Sequence, residues 1–147
     1  MSAEPLVILL VEDDQDHAEL IQRSLAENDV ANRLSHVSDG QEALDYLFRR
    51  GEFAAPQRSP QPHLILLDLR LPKMDGLEVL KQIKMSDRLP KIPVVVLTTS
   101  AAEQDKAQAY DLNVNSYVVK PIDSEKFRKL LHDLDLYWLV YNQLPNL

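Results

Sequence analysis

The sequence predicts an α/β fold built on a parallel sheet, and three observations carry that reading. Four short apolar runs, Leu6 to Val11, Leu64 to Leu67, Val94 to Leu97 and Tyr117 to Val119, lack polar alternation, as strands covered on both faces do. The segments between them are long enough to hold crossover helices. Each run also ends on a side chain suited to phosphoryl chemistry: Glu12-Asp13, Asp68, Thr98 and Lys120. A parallel sheet gathers the carboxyl ends of its strands at one edge, where ligands bind. Residues far apart in sequence are therefore expected to meet in one acidic pocket.

The elements follow in order. After the first strand, Ala18, Ile21 and Leu25 recur at helical spacing. A weaker second strand is expected over Arg33 to Val37, followed by Asp39-Gly40 and a helix beginning near Gln41. Gly51, Pro56, Pro60 and Pro62 mark residues 51–62 as an extended surface loop, an insertion between the second helix and the third strand. Val79, Leu80 and Ile83 place a helix after the third strand. Another should begin near Ala102, and the last near Ser124, whose hydroxyl can cap free backbone N–H groups. That last helix carries an apolar stripe of Phe127, Leu130, Leu131, Leu134 and Trp138, sufficient to dock it on the sheet. The expected total is five strands and five helices.

One domain of ordinary size is expected to span residues 1–147, with no fused output domain. A C-terminal apolar tail at about 136–147 contains Leu136, Tyr137, Leu139, Val140 and Tyr141. It reads either as a tail folded back on the domain or as an association surface, since contiguous exposed apolar patches mark partners. The 16 Lys and Arg against 23 Asp and Glu give a net charge of −7, which argues against a nucleic-acid-binding surface. The absence of cysteine excludes disulfides, thiolate catalysis and cysteine-ligated zinc. No signal peptide or membrane-spanning stretch is visible, so a soluble cytoplasmic protein is expected.

Three carboxylates, Glu12, Asp13 and Asp68, brought together would resist ionising at once unless a cation neutralised them. An all-oxygen ligand set suits magnesium, which keeps several waters and accepts phosphate oxygens as further ligands. Asp68 is the candidate nucleophile, because a strand-end carboxylate can attack phosphorus and form an acyl phosphate. Lys120 would supply an ammonium to stabilise the transferring charge, turned inward by Pro121. Thr98 would donate to a phosphoryl oxygen, while Thr98-Thr99-Ser100 also reads as a capping cluster with Ser100 nearer the cap. Tyr117 fills space at a strand edge or acts as a rotamer switch. His17, His36, His63 and His132 show no metal-ligand spacing and read as surface or packing residues.

Glu12-Asp13, Asp68, Thr98, Tyr117 and Lys120-Pro121, with Leu71-Pro72-Lys73-Met74-Asp75-Gly76 after the nucleophile, resemble the receiver domain of two-component response regulators. The resemblance runs from about Leu6 to Leu134. It implies a doubly wound, flavodoxin-like fold with a five-stranded parallel sheet of order 2-1-3-4-5. It also implies a histidine kinase whose phosphohistidine donates to the pocket. By matching motif positions, Asp68 would be the phosphoacceptor and Asp13 a direct Mg2+ ligand. Glu12 would help through water, and the backbone carbonyl of Arg70 would be the third protein ligand. Thr98 and Lys120 would contact the phosphoryl group, and Tyr117 would move with Thr98 as the switch.

Arg70 and Ser100 stand where the family tunes the lifetime of the phosphoryl group, and the bulky cation at Arg70 is expected to slow hydrolysis. The insertion at 51–62, Leu97-Thr98-Thr99-Ser100, Asn115-Ser116-Tyr117 and Tyr137-Trp138-Leu139 are similar to single-domain regulators of phytochrome-like histidine kinases. That similarity implies light signalling. It also implies homodimerisation through the helix after the fourth strand, the fifth strand, the last helix and the tail with Tyr137 and Trp138.

Two other functions fit the pocket less well. Aspartate-nucleophile phosphohydrolases share its chemistry but usually carry a second Asp two residues after the nucleophile, where this chain has Arg70. A flavodoxin-like nucleotide or flavin carrier would need a glycine-rich phosphate cradle, and the chain has only Gly40, Gly51 and Gly76. A signalling protein rather than an enzyme is the expectation.

Overall fold

The structure is a computed structural model and describes residues 6–27, 32–71, 74–86, 89, 91–103 and 116–134. Five strands form one sheet: β1 (Leu6–Val11), β2 (Asn32–Val37), β3 (Leu64–Asp68), β4 (Val94–Thr98) and β5 (Ser116–Val119). Every pairing is parallel and the order is β2-β1-β3-β4-β5, as the resemblance implies.

Period-two alternation splits the sheet's side chains between two apolar layers. On one face Ile8, Leu10, Leu64, Leu66, Val95 and Leu97 pack with residues of α1 (Gln15–Ala26) and of the helix Ser124–Asp133. On the other, Leu9, Val11, Ile65, Leu67, Val94 and Val96 pack with α2 (Gly40–Leu47) and α3 (Gly76–Met85). β1, β3 and β4 are buried along their whole length, which explains why they read as unbroken apolar runs. The Ser124–Asp133 helix, α4, docks through Phe127, Leu130 and Leu131, with Leu134 packed against the same layer.

Each of these four helices starts on an aspartate. Asp14, Asp39, Asp75 and Asp123 accept hydrogen bonds from first-turn amides of α1, α2, α3 and α4, satisfying donors that the helix itself leaves open. The cap of α4 is thus Asp123, and Ser124 is its first helical residue, because a carboxylate one position earlier reaches the free amide of Lys126. The helix expected near Ala102 begins at 101 and is described only to 103. Trp138 and the tail lie outside the described residues. No described helix is long and apolar enough to cross a membrane.

Residues 51–62 are more ordered than the extended loop expected. α2 ends with hydrogen bonds from the Arg49 amide to the Tyr46 carbonyl and from the Arg50 amide to the Asp45 carbonyl, with Arg49 in the left-handed region at φ 54°. A 3-10 turn, Gly51–Phe53, follows. The Tyr46 hydroxyl donates to the Pro60 carbonyl (2.8 Å), and the buried Ser59 hydroxyl donates to the Phe53 carbonyl (2.8 Å), tying the loop to α2 and closing it on itself.

Candidate functional site

At the carboxyl edge of the sheet the polar strand ends converge. β1 leads directly into Glu12, whose backbone extends the ladder by donating to the Val37 carbonyl and accepting from His36 Nε2–H at 2.7 Å. This fixes the Glu12 side chain beneath the surface, 0% exposed, whereas Asp13 next to it is exposed. Asp68 ends β3 with its carboxylate buried. One carboxylate oxygen from each of Glu12, Asp13 and Asp68 lies within 4.8 Å of the others, so segments 55 residues apart build one acidic cluster.

Lys120 enters this cluster from the turn after β5, where its amide donates to the Thr98 carbonyl (2.8 Å) and its peptide to Pro121 is cis. The ammonium donates to Glu12 Oε1 at 2.5 Å and to Asp68 Oδ2 at 2.8 Å. Burial pulls the ammonium down, but hydrogen bonds and charges from Asp68 and Glu12 together outweigh it and leave Lys120 above its ordinary value. Glu12 is pushed up to about 8, first by burial and then by the neighbouring Asp68 carboxylate, against the opposing pull of Lys120. One ammonium therefore does not neutralise the cluster. The donor set is hard oxygen with excess negative charge, and it fits a divalent cation.

A third acceptor on the ammonium is His17 Nδ1 at 3.1 Å. Sequence reasoning placed His17 among surface or packing residues. Its position three residues after the Asp14 cap, in the first turn of α1, was the signal that it faces the strand edge. His36 and His63 are backbone partners, His63 Nδ1 accepting from the Val7 amide at 3.0 Å.

Arg70 joins the cluster through its own amide and Thr98 through the Lys120 amide, while Ser100 and Tyr117 make their contacts elsewhere. The Arg70 amide donates to Asp68 Oδ1 at 2.9 Å, closing a tight turn that holds the carboxylate in place. Gly76 makes this turn possible: a Cβ there would collide with the Asp68 carbonyl and Leu69 Cα, both backbone. Thr98 is fully buried and its hydroxyl donates to the Val118 carbonyl at 3.5 Å. Ser100 Oγ accepts from the Glu103 amide (3.1 Å), the capping role expected of it. Tyr117 is half-buried against the layer that contains Val96, its register partner.

Glu103 is the second residue that sequence reasoning passed over. It accepts from Arg70 Nε at 2.7 Å, from the Thr99 amide at 3.2 Å and from the Thr99 hydroxyl at 3.1 Å. Ser100-Ala101-Ala102-Glu103 has the Ser-x-x-Glu spacing of a capping box, which was the available signal.

An acidic pocket with an ammonium at the carboxyl edge of a 2-1-3-4-5 parallel sheet defines a phosphoryl-receiving signalling domain, the class that the sequence resembles. Residues 8–132 match the response regulator receiver domain family, and the chain belongs to it. It is 46% identical over 142 residues to a probable methanogenesis regulatory protein, FilR2, of Methanothrix harundinacea, across 97% of this chain and 89% of that one. It is 43% identical over 141 residues to response regulator Rcp1 of Synechocystis, across 96% of this chain and 94% of that one.

Among solved structures, the bacteriophytochrome response regulator AtBRR superposes with a TM-score of 0.84 at 46% identity, covering 92% of this chain and 96% of that one. Mn2+-bound Rcp1 (TM-score 0.73) and the phosphorylated cyanobacterial phytochrome response regulator RcpA (0.75) are each 42% identical, and each match covers 97% of this chain and 100% of the other. This protein is accordingly a response regulator of two-component signalling, with a histidine kinase as its upstream partner and a site suited to a divalent cation.

Proposed function

We propose that this receiver takes a phosphoryl group from a sensor histidine kinase onto Asp68. The single observation that carries the assignment is the Lys120 ammonium held against Asp68 Oδ2 at 2.8 Å beside two further carboxylates. An Asp68 oxygen attacks phosphorus, the phosphohistidine N–P bond breaks, and the imidazole leaves. Mg2+ bound by Asp13, Asp68 and the Arg70 carbonyl, with Glu12 acting through water, would offset the charge on the transferring oxygens. Lys120 contributes a fixed positive charge. Thr98 exchanges its bond to the Val118 carbonyl for one to a phosphoryl oxygen, and Tyr117 follows it, repacking the β5 face. Arg70 and Ser100 set how long the phosphoryl group survives before water removes it.

The experiment is incubation with Mg2+ and acetyl phosphate, read by intact mass. Wild type gains one phosphoryl group that hydroxylamine removes, and Asp68→Asn gains none. Labelling of Asp68→Asn would sink the assignment. Mg2+ is tested by its absence, since a chelator should stop the gain. Arg70→Ala should shorten the lifetime, and an unchanged lifetime removes Arg70 as a tuning residue.

The kinase is proposed to be phytochrome-type and the setting cytoplasmic light signalling, on the likeness to AtBRR, RcpA and Rcp1. Transfer from a purified phytochrome kinase should outpace transfer from unrelated kinases, and equal slow transfer from all would detach the protein from light. The comparable identity to FilR2 makes a regulator outside light signalling the second reading, which that outcome would favour. A homodimer through β5, α4, the segment after β4 and the tail with Tyr137 and Trp138 is proposed. Light scattering with and without beryllofluoride tests it, and a constant monomer mass would refute it.

A further inference from the structure

Glu103 is anchored more firmly than the cation it holds. Its side chain is 12% exposed and carries both Thr99 bonds, while the Arg70 side chain is 74% exposed and touches it through Nε at 2.7 Å. Arg70 is also joined to the pocket by its own backbone, two residues beyond Asp68 and bonded to Asp68 Oδ1. The guanidinium thus reaches from the β3 turn to the first turn after β4, across the rim of the pocket. Arginine stays charged at any working pH.

A phosphoryl group on Asp68 would add a second strong anion within reach of this cation, with about −1.5 to −2 charge and acceptor oxygens matched to a guanidinium fork. Two anions then compete for one cation. Glu103 cannot follow Arg70 inward, because the Thr99 amide and hydroxyl hold it on the rim.

We propose that Glu103 is a positioning residue that restrains Arg70 on the rim, and that this competition sets the lifetime of the phosphorylated state. Hydrolysis of the acyl phosphate requires water to bond to phosphorus opposite the Asp68 oxygen as that P–O bond breaks. Asp68 leaves as the carboxylate and inorganic phosphate carries the water's oxygen. While Glu103 retains the guanidinium, the solvent side of the phosphorus stays open. When Arg70 turns to the phosphoryl oxygens, it occupies that side and hydrolysis slows. The inference rests on Asp68 being the acceptor and adds a residue that does not touch the phosphoryl group.

The test is the first-order loss of the phosphoryl group after removal of acetyl phosphate, in wild type, Glu103→Gln, Arg70→Ala and the double variant. Glu103→Gln keeps an acceptor for the Thr99 amide and removes the charge that holds Arg70. Its half-life should lengthen about two- to fivefold, the range an exposed ion pair supplies. The double variant should lose that gain and match Arg70→Ala. A purely structural role for Glu103 would not make its effect depend on Arg70. If Glu103→Gln folds poorly, Thr99→Val loosens the same carboxylate and is read in the same way. A half-life unchanged in Glu103→Gln, or lengthened equally without Arg70, overturns the inference alone. Failure of wild-type Asp68 to take the group overturns both this inference and the reading on which it rests.

Discussion

The two ends of the sheet both bury polar side chains, and they do so by opposite means. At the amino end Tyr46, Ser59 and His63 meet neutral partners: the Ser35 hydroxyl, the Pro60 and Phe53 carbonyls and the Val7 amide. At the carboxyl end Glu12, Asp68 and Lys120 bury three ionisable groups with excess acid. No buried side-chain polar atom among the described residues lacks a partner, so both ends are saturated. The difference lies in charge, not in unmet hydrogen bonds. Neutral pairing closes one end as structure, whereas uncompensated negative charge at the other holds free energy that a cation can release.

The largest break in this contrast should come from Lys120→Met. It strips the buried Glu12–Asp68 pair of its counter-charge and should cost about 3–5 kcal/mol in urea unfolding of the metal-free protein at pH 8. Most of that loss should return at pH 5 or with a saturating divalent cation. A cost below about 1 kcal/mol would mean that the ammonium does not hold the pocket together.

Glu12 gives the next effect, and its sign follows from linkage. Its folded-state pKa of about 8 lies above its ordinary value of 4.5. Between those values the folded state binds more protons than the unfolded one, so the Glu12 contribution to stability is full below about pH 4.5 and is lost as pH rises to about 8. Metal-free Glu12→Gln should therefore flatten the fall in melting temperature over that window. An identical pH profile would contradict the raised value. The same variant should weaken divalent-cation binding, measured by titration.

A smaller effect is expected at the neutral end. Tyr46→Phe removes one hydroxyl from the Ser35 and Pro60 bonds and should cost about 1 kcal/mol, with phosphoryl lifetime unchanged. The smallest belongs to Arg58→Ala, whose exposed guanidinium makes, among the described residues, a 3.4 Å contact with the Glu52 carbonyl, and whose effect should stay within about 0.5 kcal/mol. A change in phosphoryl lifetime from either variant would show that the two ends are coupled.

The buried strands were legible because full coverage removes polar alternation, so β1, β3 and β4 stood out in the sequence within one residue. β2 was faint because, at the sheet edge, it carries Arg33, Ser35 and His36, and only Val37 is fully buried among its apolar residues. The order in the ladder could not come from apolar runs, which record burial but not neighbours, and rested on the family resemblance. The Gly51–Phe53 turn was missed because prolines announce a loop without saying what it bonds to. At the site, Glu12, Asp68 and Lys120 were visible as strand-end residues. His17 and Glu103 were not, because each reaches the pocket from a helix's first turn, where helix placement rather than strand periodicity decides direction.

Gly76 separates what can vary here from what cannot. A methyl group at that position meets the main chain at Asp68 and Leu69, which cannot step aside without dragging the Asp68 carboxylate with it. The floor of the pocket is thereby closed to gradual change, while Arg70 and Ser100 at its rim carry exposed side chains. On the proposed reading, changes at that rim would retime the signal and leave the floor beneath it in place.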